Sequence, residues 1–168
     1  MIISGVVLLF EKILVPMDHS EHSQRAFNVA TQIAKKFGSK ITLIHVYSVG
    51  ITPVVVPEPS ALTVGIPISR PEYISQWTEA AREAGSRILA EAEKKVKAEE
   101  VEVDSILTEG HAVQEIVRAS KEGNFDLIVM GARGVSHVRE MLLGSVTDGV
   151  MHHATCPVLI LRQKQGPQ

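Results

Sequence analysis

Residues 126–147 constrain the fold more than any other part of the chain. They begin with the apolar run Leu127-Ile128-Val129-Met130, which is typical of a short strand buried on both faces of a parallel sheet. Three glycines and a serine follow this run at fixed spacing: Gly131, Gly134, Gly144 and Ser145. A strand that ends in a glycine loop and leads into a helix turns backbone N–H groups toward one point, where the helix dipole adds partial positive charge. The pattern therefore predicts a site for an anionic group, such as a phosphate, at the end of this strand.

The same residues also fit an interpretation without a ligand. Gly131 and Gly134 fit ordinary turns, and Ser145 with Asp148 three residues later has the form of a capping box. The two interpretations are compatible, because capping and phosphate contact use the same helix end. Both stay open from these residues alone.

Strand-like and helix-like segments alternate along the rest of the chain. Strands are predicted over residues 12–17, 40–47, 101–108, 127–130 and 158–161. Helices are predicted over residues 20–37, 72–100, 111–122, 135–143 and 145–153. With right-handed crossovers, this alternation predicts a parallel sheet that carries helices on both faces. The third strand begins with alternating valines and acidic residues, which predicts a less buried strand at a sheet edge.

The first two predicted helices carry clear apolar stripes. The first has Ser20 as its predicted N-cap and Gly38 just past its end. The second has a predicted buried stripe made of Ile74, Trp77, Ala81, Ala84, Ile88, Ala92 and Val96. Trp77 is predicted to anchor packing rather than to stack on a base.

One internal segment and both ends of the chain lack a clear pattern. Residues 49–71 contain five prolines, so regular structure is not expected there, and a lid, a dimer contact and a variable insertion remain alternatives. Residues 1–10 are apolar but too short to span a bilayer, and they lack a basic leader. We expect them to form a lead-in before a domain over residues 11–162, with 163–168 as a polar tail and a cytoplasmic location.

Composition and charge exclude several classes of function. The formal net charge is −2, which gives no general attraction to nucleic acid or to anionic membranes. Cys156 is the single cysteine, which excludes an internal disulfide, and we expect it to be a small buried residue. Because of the small net charge, neither nucleic acid nor a membrane is an expected partner.

The spacing Gly-x2-Gly-x9-Gly-Ser directly after an apolar strand resembles the ATP-binding signature of the universal stress protein family. The resemblance extends to residues 13–18, 43–46, 142–147 and 154–160, and it covers about residues 11–162. It implies an α/β fold, a three-layer α/β/α sandwich with a five-stranded parallel sheet of order 3-2-1-4-5. Such a fold is Rossmann-like and similar to that of the adenine nucleotide alpha hydrolases. In this sheet the ligand crevice lies between the first and fourth strands.

The candidate nucleotide-binding residues come from strand ends and from the glycine loop: Pro16, Asp18, Val46, Met130, Gly131, Arg133, Gly134, Gly144, Ser145, Val146 and Thr147. The glycines and Ser145 are expected to contact phosphates, with an amide from Val146 and a hydroxyl from Thr147. Arg133 is expected either to pair with a phosphate or to be an ordinary exposed loop arginine.

The residues at the ends of the strands are expected to surround the nucleoside. Pro16, Val46 and Met130 are expected to form walls for a flat base, although each alone also fits core packing. Asp18 is expected to accept hydrogen bonds from ribose hydroxyls or an adenine amino group, or else to cap the following helix. The resemblance implies that Pro16, Asp18 and Val46 lie near the adenosine.

Several catalytic motifs are absent from the sequence. It contains neither the P-loop Gly-x4-Gly-Lys-[Ser/Thr] nor a Gly-x-Gly-x-x-Gly after the first strand. The loops typical of ATP pyrophosphatases and nucleotidyl transferases are missing, and no paired nucleophile and base is evident. The pairs His19/His22 and His152/His153 lack a partner at metal-ligand spacing, so no metal site is predicted.

The predicted function is that of an ATP-binding universal stress protein, a nucleotide-dependent stress-response switch with at most slow hydrolysis. ATP or AMP is the expected ligand, with Mg²⁺ bound through the phosphates. The resemblance implies a homodimer through the last strand, Val158–Leu161, which would also cover an apolar edge. Two alternatives stay open: an enzyme of the same architecture that acts on an adenine nucleotide, and a nucleotide-free interaction protein of the same family.

Overall fold

The computed structural model describes residues 10–48, 71–134 and 143–162, without the side chains of residues 71–74. Strands and helices alternate along these residues: β1 (Lys12–Pro16), α1 (Glu21–Phe37), β2 (Lys40–Tyr47), α2 (Pro71–Ala98), β3 (Val103–Glu109), α3 (Ala112–Glu122), β4 (Leu127–Gly131), α4 (Ser145–His153) and β5 (Val158–Leu161).

The strands form one parallel sheet of order β3-β2-β1-β4-β5. The predicted order is confirmed, with β1 at the centre and the third and fifth strands at the edges. Leu14 of β1 lies beside Ile128 of β4, and Pro16 lies beside Ile44 of β2. The winding of the chain reverses between β1 and β4, which leaves a crevice at their carboxyl ends.

Two apolar clusters cover the two faces of the sheet. Successive side chains on a strand point to opposite faces, so Ile13 and Val15 join the cluster under α1 and α2, whereas Leu14 joins the cluster under α3 and α4. All three side chains are fully buried. This arrangement is the predicted three-layer α/β/α sandwich.

The two ends of α1 follow their sequence signals. The Ser20 side chain accepts a hydrogen bond from the Ser23 amide, as an N-cap does. Gly38 adopts a left-handed conformation with φ 71°, and its amide donates to the Ala34 carbonyl. The first contact fixes where α1 begins, and the second fixes where it ends.

The prediction that Trp77 anchors packing is wrong, because its side chain is 54% exposed. The residues of α2 that are buried lie further along it, at Gly85, Leu89, Ala92 and Val96. A helix of 28 residues is roughly 42 Å long, whereas the 8 residues of β2 span roughly 26 Å. The first turns of α2 therefore extend beyond the sheet, and Trp77 has no strand to pack against.

Several element boundaries differ from the predicted ones. β1 ends at Pro16 rather than at residue 17, and β3 covers Val103–Glu109 rather than 101–108. α2 begins at Pro71, which was assigned to the preceding loop; proline is favoured at the first helical position because its missing N–H has no partner there.

Some predictions fall on residues outside the described ranges. They concern the lead-in, the proline-rich segment before residue 71, the helix over 135–143 apart from its last residue, and the polar tail. Among the described residues, no helix has the length and apolar character needed to cross a bilayer.

Candidate functional site

A cleft opens at the carboxyl ends of β1 and β4, where the winding of the sheet reverses. It contains about 520 Å³ of empty space counted to its open mouth. The residues around it are Pro16, Met17, Asp18, Ser23, Ile44, Val46, Ala112, Ile116, Met130, Gly131, Arg133, Gly134, Val146 and Thr147. Most of the predicted candidates therefore line one cavity; Gly144 and Ser145 are the two that do not.

The cleft has an apolar half and a polar half. The apolar half lies between β2 and α3, with Val46 on one side and Ala112 and Ile116 on the other. The polar half lies around Asp18 and the first turn of α4. The division suits a ligand with one flat apolar part and one charged part.

Five lining residues were not among the predicted candidates: Met17, Ser23, Ile44, Ala112 and Ile116. Ile116 belongs to the buried cluster under α3 and α4. The signal that could have found this wall is topological. Because all strands are parallel, the helix α3, which follows the edge strand β3 beside β2, must begin at the end of the sheet where the crevice lies.

Asp18 uses its two carboxylate oxygens differently. Its Oδ1 accepts hydrogen bonds from the Ser20 amide at 3.1 Å and from the Ser20 hydroxyl at 2.6 Å. Its Oδ2 lies only 2.6 Å from the position that a β-carbon on residue 134 would occupy. One oxygen thus orders the turn that leads into α1, and the other faces the glycine loop.

Gly131 and Gly134 allow two different close approaches. A β-carbon at Gly131 would lie 2.6 Å from the backbone carbonyl carbon of His22, at the start of α1. Among the described residues, a β-carbon at Gly134 would meet only the Asp18 carboxylate within 3.4 Å. Gly131 therefore serves the packing of α1 on β4, whereas Gly134 leaves room beside Asp18 in the cleft.

Gly144 connects the start of α4 to the segment that follows β4. Its amide donates to the Ala132 carbonyl at 2.8 Å, and a β-carbon there would lie 3.3 Å from the Arg133 Cα. Gly144 is also the N-cap residue of α4, and it supplies no side-chain hydrogen bond to the helix. Ser145 is the first residue within α4, so the capping-box interpretation of Ser145 with Asp148 is wrong.

The first turn of α4 presents unsatisfied backbone donors to the cleft. Within the described part of the chain, the amides of Ser145, Val146 and Thr147 donate no hydrogen bond to a carbonyl or a side chain. The positive end of the helix dipole lies at the same place. This turn therefore has the chemistry of an anion site.

The Thr147 hydroxyl is engaged inside the protein. It donates to the Gly131 carbonyl at 2.8 Å, and the residue is 2% exposed. The bond ties α4 to the end of β4. The predicted contact between this hydroxyl and a phosphate would require this bond to break, because a phosphate oxygen accepts hydrogen bonds and the single hydroxyl proton is already donated to Gly131.

The strand β2 presents backbone groups to the apolar half of the cleft. In a strand, the N–H and C=O of one residue point to the same neighbour, and the side alternates with each residue. The Ile44 carbonyl accepts from Met17 on the β1 side, whereas the Tyr47 carbonyl accepts from Gly110 on the β3 side. The N–H and C=O of Val46 therefore point to the β1 side, just beyond the point where β1 ends.

The wall formed by α3 is held by a charged contact next to the cleft. The Arg118 guanidinium donates a hydrogen bond to the Glu115 carboxylate. The Thr108 hydroxyl donates to the same carboxylate at 3.2 Å. These contacts lower the pKa of Glu115, with the Arg118 hydrogen bond as the main cause. Glu115 thus stays ionised and fixes α3 to the end of β3.

A protein-bound metal ion has no cluster of ligands in the described part of the chain. Groups of three or more His, Cys, Asp or Glu side chains close enough to hold one do not occur there. His19 precedes α1 with φ 67°, and His22 lies within its first turn, so the two do not share a helix face.

Comparison with known proteins places this fold and cleft in a family. The family model described as the universal stress protein family matches residues 9–162. The chain belongs to the universal stress protein family. Universal stress protein YxiE of Bacillus subtilis (strain 168) is 36% identical over 154 residues, which cover 92% of this chain and 100% of the relative.

Two solved structures have a fold similar to that of this universal stress protein. The structure of the hypothetical protein MJ0577 of Methanocaldococcus jannaschii superposes with a TM-score of 0.76 at 23% identity, and the match covers 94% of this chain and 99% of that one. A universal stress protein in complex with cAMP superposes with a TM-score of 0.61 at 25% identity, covering 91% of this chain and 97% of that one.

Proposed function

We propose that this universal stress protein binds an adenine nucleotide in the cleft between β1 and β4. The base occupies the apolar half, and the phosphates meet the first turn of α4. The observation that carries the proposal is the set of three unsatisfied amides in that turn, at Ser145, Val146 and Thr147, of which Val146 and Thr147 line the cavity beside Gly134 and Asp18. A related structure of the same family holds cAMP, an adenine nucleotide.

The base half of the cleft favours adenine over guanine. The Val46 N–H and C=O, which point into the crevice, offer one donor and one acceptor side by side. Adenine presents an acceptor at N1 and a donor at its 6-amino group, whereas guanine presents the opposite pattern. With guanine in the same position, the Val46 N–H would face a donor and the Val46 C=O would face an acceptor. Neither group could form its hydrogen bond, and leaving both unsatisfied would weaken binding.

The phosphate half of the cleft suits the binding of successive phosphate groups rather than catalysis. Backbone amides and a helix dipole hold phosphates without a P-loop lysine. With no metal-ligand cluster among the described residues, Mg²⁺ would be held mainly by the phosphates of ATP. Arg133 lines this half, next to the loop glycines, and is a cationic side chain that could pair with a phosphate.

Any hydrolysis of bound ATP should be slow. Asp18 is the carboxylate that lines the cleft, and its Oδ1 is already used by Ser20. Among the residues that the structure describes, the lining includes neither a histidine nor a glutamate that could activate a water molecule. The proposed role is therefore a switch whose partners depend on the bound nucleotide.

Isothermal titration of the nucleotide-free protein with ATP tests the proposal. We expect saturable binding to the wild-type chain and weak binding to Gly144→Val, because the larger side chain pushes the Arg133 loop away from α4. Gly38→Ala is the matched control, since that glycine has φ 71° and lies at the opposite end of the sheet. It should lower stability by about 1 kcal/mol without changing the affinity.

The outcomes separate this proposal from its alternatives. No heat with ATP, together with no heat with AMP, would reject nucleotide binding and leave an interaction protein of the same fold. Turnover of ATP well above one per minute would instead identify an enzyme. Equal ATP binding by Gly144→Val and wild type would show that the phosphates do not contact this loop.

A further inference from the structure

His45 contacts the backbone of the cleft although it does not line it. Its side chain is half-buried on the α2 side of β2. Its Nδ1 lies 2.7 Å from the Met17 carbonyl oxygen. A carbonyl only accepts hydrogen bonds, so this ring nitrogen carries the proton and donates it.

The hydrogen bond from His45 stands where the sheet ladder would otherwise continue. The Met17 amide donates to the Ile44 carbonyl at 2.8 Å, which is the last rung between β1 and β2. In a parallel ladder the next rung would run from the Val46 amide to the Met17 carbonyl. Among the described residues no such backbone bond is present, and the His45 ring takes that acceptor instead.

Gly85 of α2 provides the space for this ring. A β-carbon at Gly85 would lie 2.4 Å from the His45 Cδ2 and 2.8 Å from the Leu107 Cδ1. Glycine inside a helix is less stable than alanine there, yet at this position any larger residue would collide with the imidazole. The helix thus accommodates a ring whose polar contact is with the end of β1.

We propose that His45 is a positioning residue that ends the β1–β2 ladder and keeps the Val46 backbone available to the base of the nucleotide. By occupying the Met17 carbonyl, the imidazole leaves the Val46 N–H without a protein acceptor and free to face the crevice. It also holds Met17 directly before Asp18, which fixes the other side of the cleft. This inference rests on the proposed nucleotide function.

Three variants test the inference with AMP as the probe. His45→Leu removes the donor, and His45→Asn keeps one, because an asparagine amide nitrogen lies about where Nδ1 lies. Leu107→Ala is the control: it loosens the same contact with α2 but removes no hydrogen-bond donor from the Met17 carbonyl. We expect AMP affinity to fall about tenfold in His45→Leu, the equivalent of one hydrogen bond, to recover largely in His45→Asn and to change less than about twofold in Leu107→Ala.

Two spectroscopic readouts report the contact itself. Nitrogen NMR of the wild-type imidazole should show the proton on Nδ1. Hydrogen exchange of the Val46 amide, measured without nucleotide, should become slower in His45→Leu as the ladder extends by one rung. If His45→Leu does not fold, the ring tautomer and the His45→Asn variant still decide the question.

Failure of this inference is distinguishable from failure of nucleotide binding. If wild type binds AMP and His45→Leu binds it equally well, the inference is overturned and the nucleotide site stands. A proton on Nε2 alone would also overturn it. If wild type binds no AMP, the proposed function fails and the role of His45 fails with it.

Discussion

At the scale of single residues, the glycines after β4 differ in what they accommodate. The spacing of the glycines predicts a phosphate loop, but it does not distinguish which glycine faces a ligand and which faces another part of the protein. In the structure Gly131 meets the backbone of α1, and Gly134 meets only the Asp18 carboxylate within 3.4 Å. The two positions should therefore respond differently to the same substitution.

Alanine substitutions at these two glycines test that difference. Gly131→Ala should lower the free energy of unfolding by about 1–3 kcal/mol, because backbone must move to admit the new carbon. Gly134→Ala should leave stability nearly unchanged and weaken ATP binding, because the Asp18 side chain turns away. Thermal denaturation and titration of both variants provide the measurements. Equal stability of the two variants would contradict the assignment.

Cys156 gives a second test at this scale. Burial raises the pKa of its thiol, and the negative charge of Asp126 adds to the effect. The sequence predicts a small buried residue, and in the structure Cys156 is half-buried against the α3–α4 cluster. At pH 7.5 we expect a thiol-reactive dye to label it several-fold more slowly than free cysteine, and at the same rate as free cysteine in denaturant. Equal rates in the folded protein would contradict the shifted pKa.

At the scale of elements, the attachment of α4 to β4 depends on one buried hydrogen bond. Thr147→Val keeps the shape of the side chain but leaves the Gly131 carbonyl without its donor. We expect a loss of about 1–3 kcal/mol in unfolding free energy. Thr31→Val is a matched control, since the Thr31 hydroxyl donates to the Phe27 carbonyl inside α1. That change should cost less, because the carbonyl keeps its place in the helix ladder.

The contact between α3 and the end of β3 has a predictable pH dependence. The folded-state pKa of Glu115 is lowered, so its contribution is fully present above the ordinary glutamate pKa of about 4.3 and is lost as pH falls through the lower folded value. Wild type should therefore exceed Glu115→Gln in unfolding free energy by about 0.5 kcal/mol at pH 6. The difference should shrink as pH falls below the ordinary glutamate pKa and vanish below the lowered folded-state pKa. A constant difference across this range, measured with urea, would mean that the charge is not responsible.

The elements also show what could be predicted from the sequence. The order of strands and helices along the chain and both ends of α1 follow from apolar periodicity and caps. The strand order in the sheet, and with it the crevice between β1 and β4, was implied by the family resemblance. The prediction that Trp77 is buried is wrong, because a periodic apolar stripe does not reveal that a helix extends beyond the sheet on which it packs. The wall on α3 and the contact of His45 with Met17 were missed, because both depend on which strands are neighbours and on where each strand ends.

At the scale of the whole molecule, β5 is the edge that a second copy would cover. It pairs with β4 on one side only among the described strands, and Leu159 on it is 36% exposed. We expect a homodimer through β5, and Leu159→Lys should shift the protein toward monomer in light scattering. Trp77→Lys is the control, because it removes an exposed apolar side chain from α2. Dimerisation that survives Leu159→Lys but is lost in Trp77→Lys would place the interface elsewhere.

The central claim is that backbone amides at the start of α4 bind the phosphates of an adenine nucleotide. Amide chemical shifts of the labelled protein during parallel titrations with ATP and adenosine test it most directly. ATP should move the amide signals of Ser145, Val146 and Thr147 strongly, whereas adenosine should move mainly the signal of Val46. If ATP binds and the three α4 amides keep their shifts, the phosphates lie elsewhere and the account of the site is wrong.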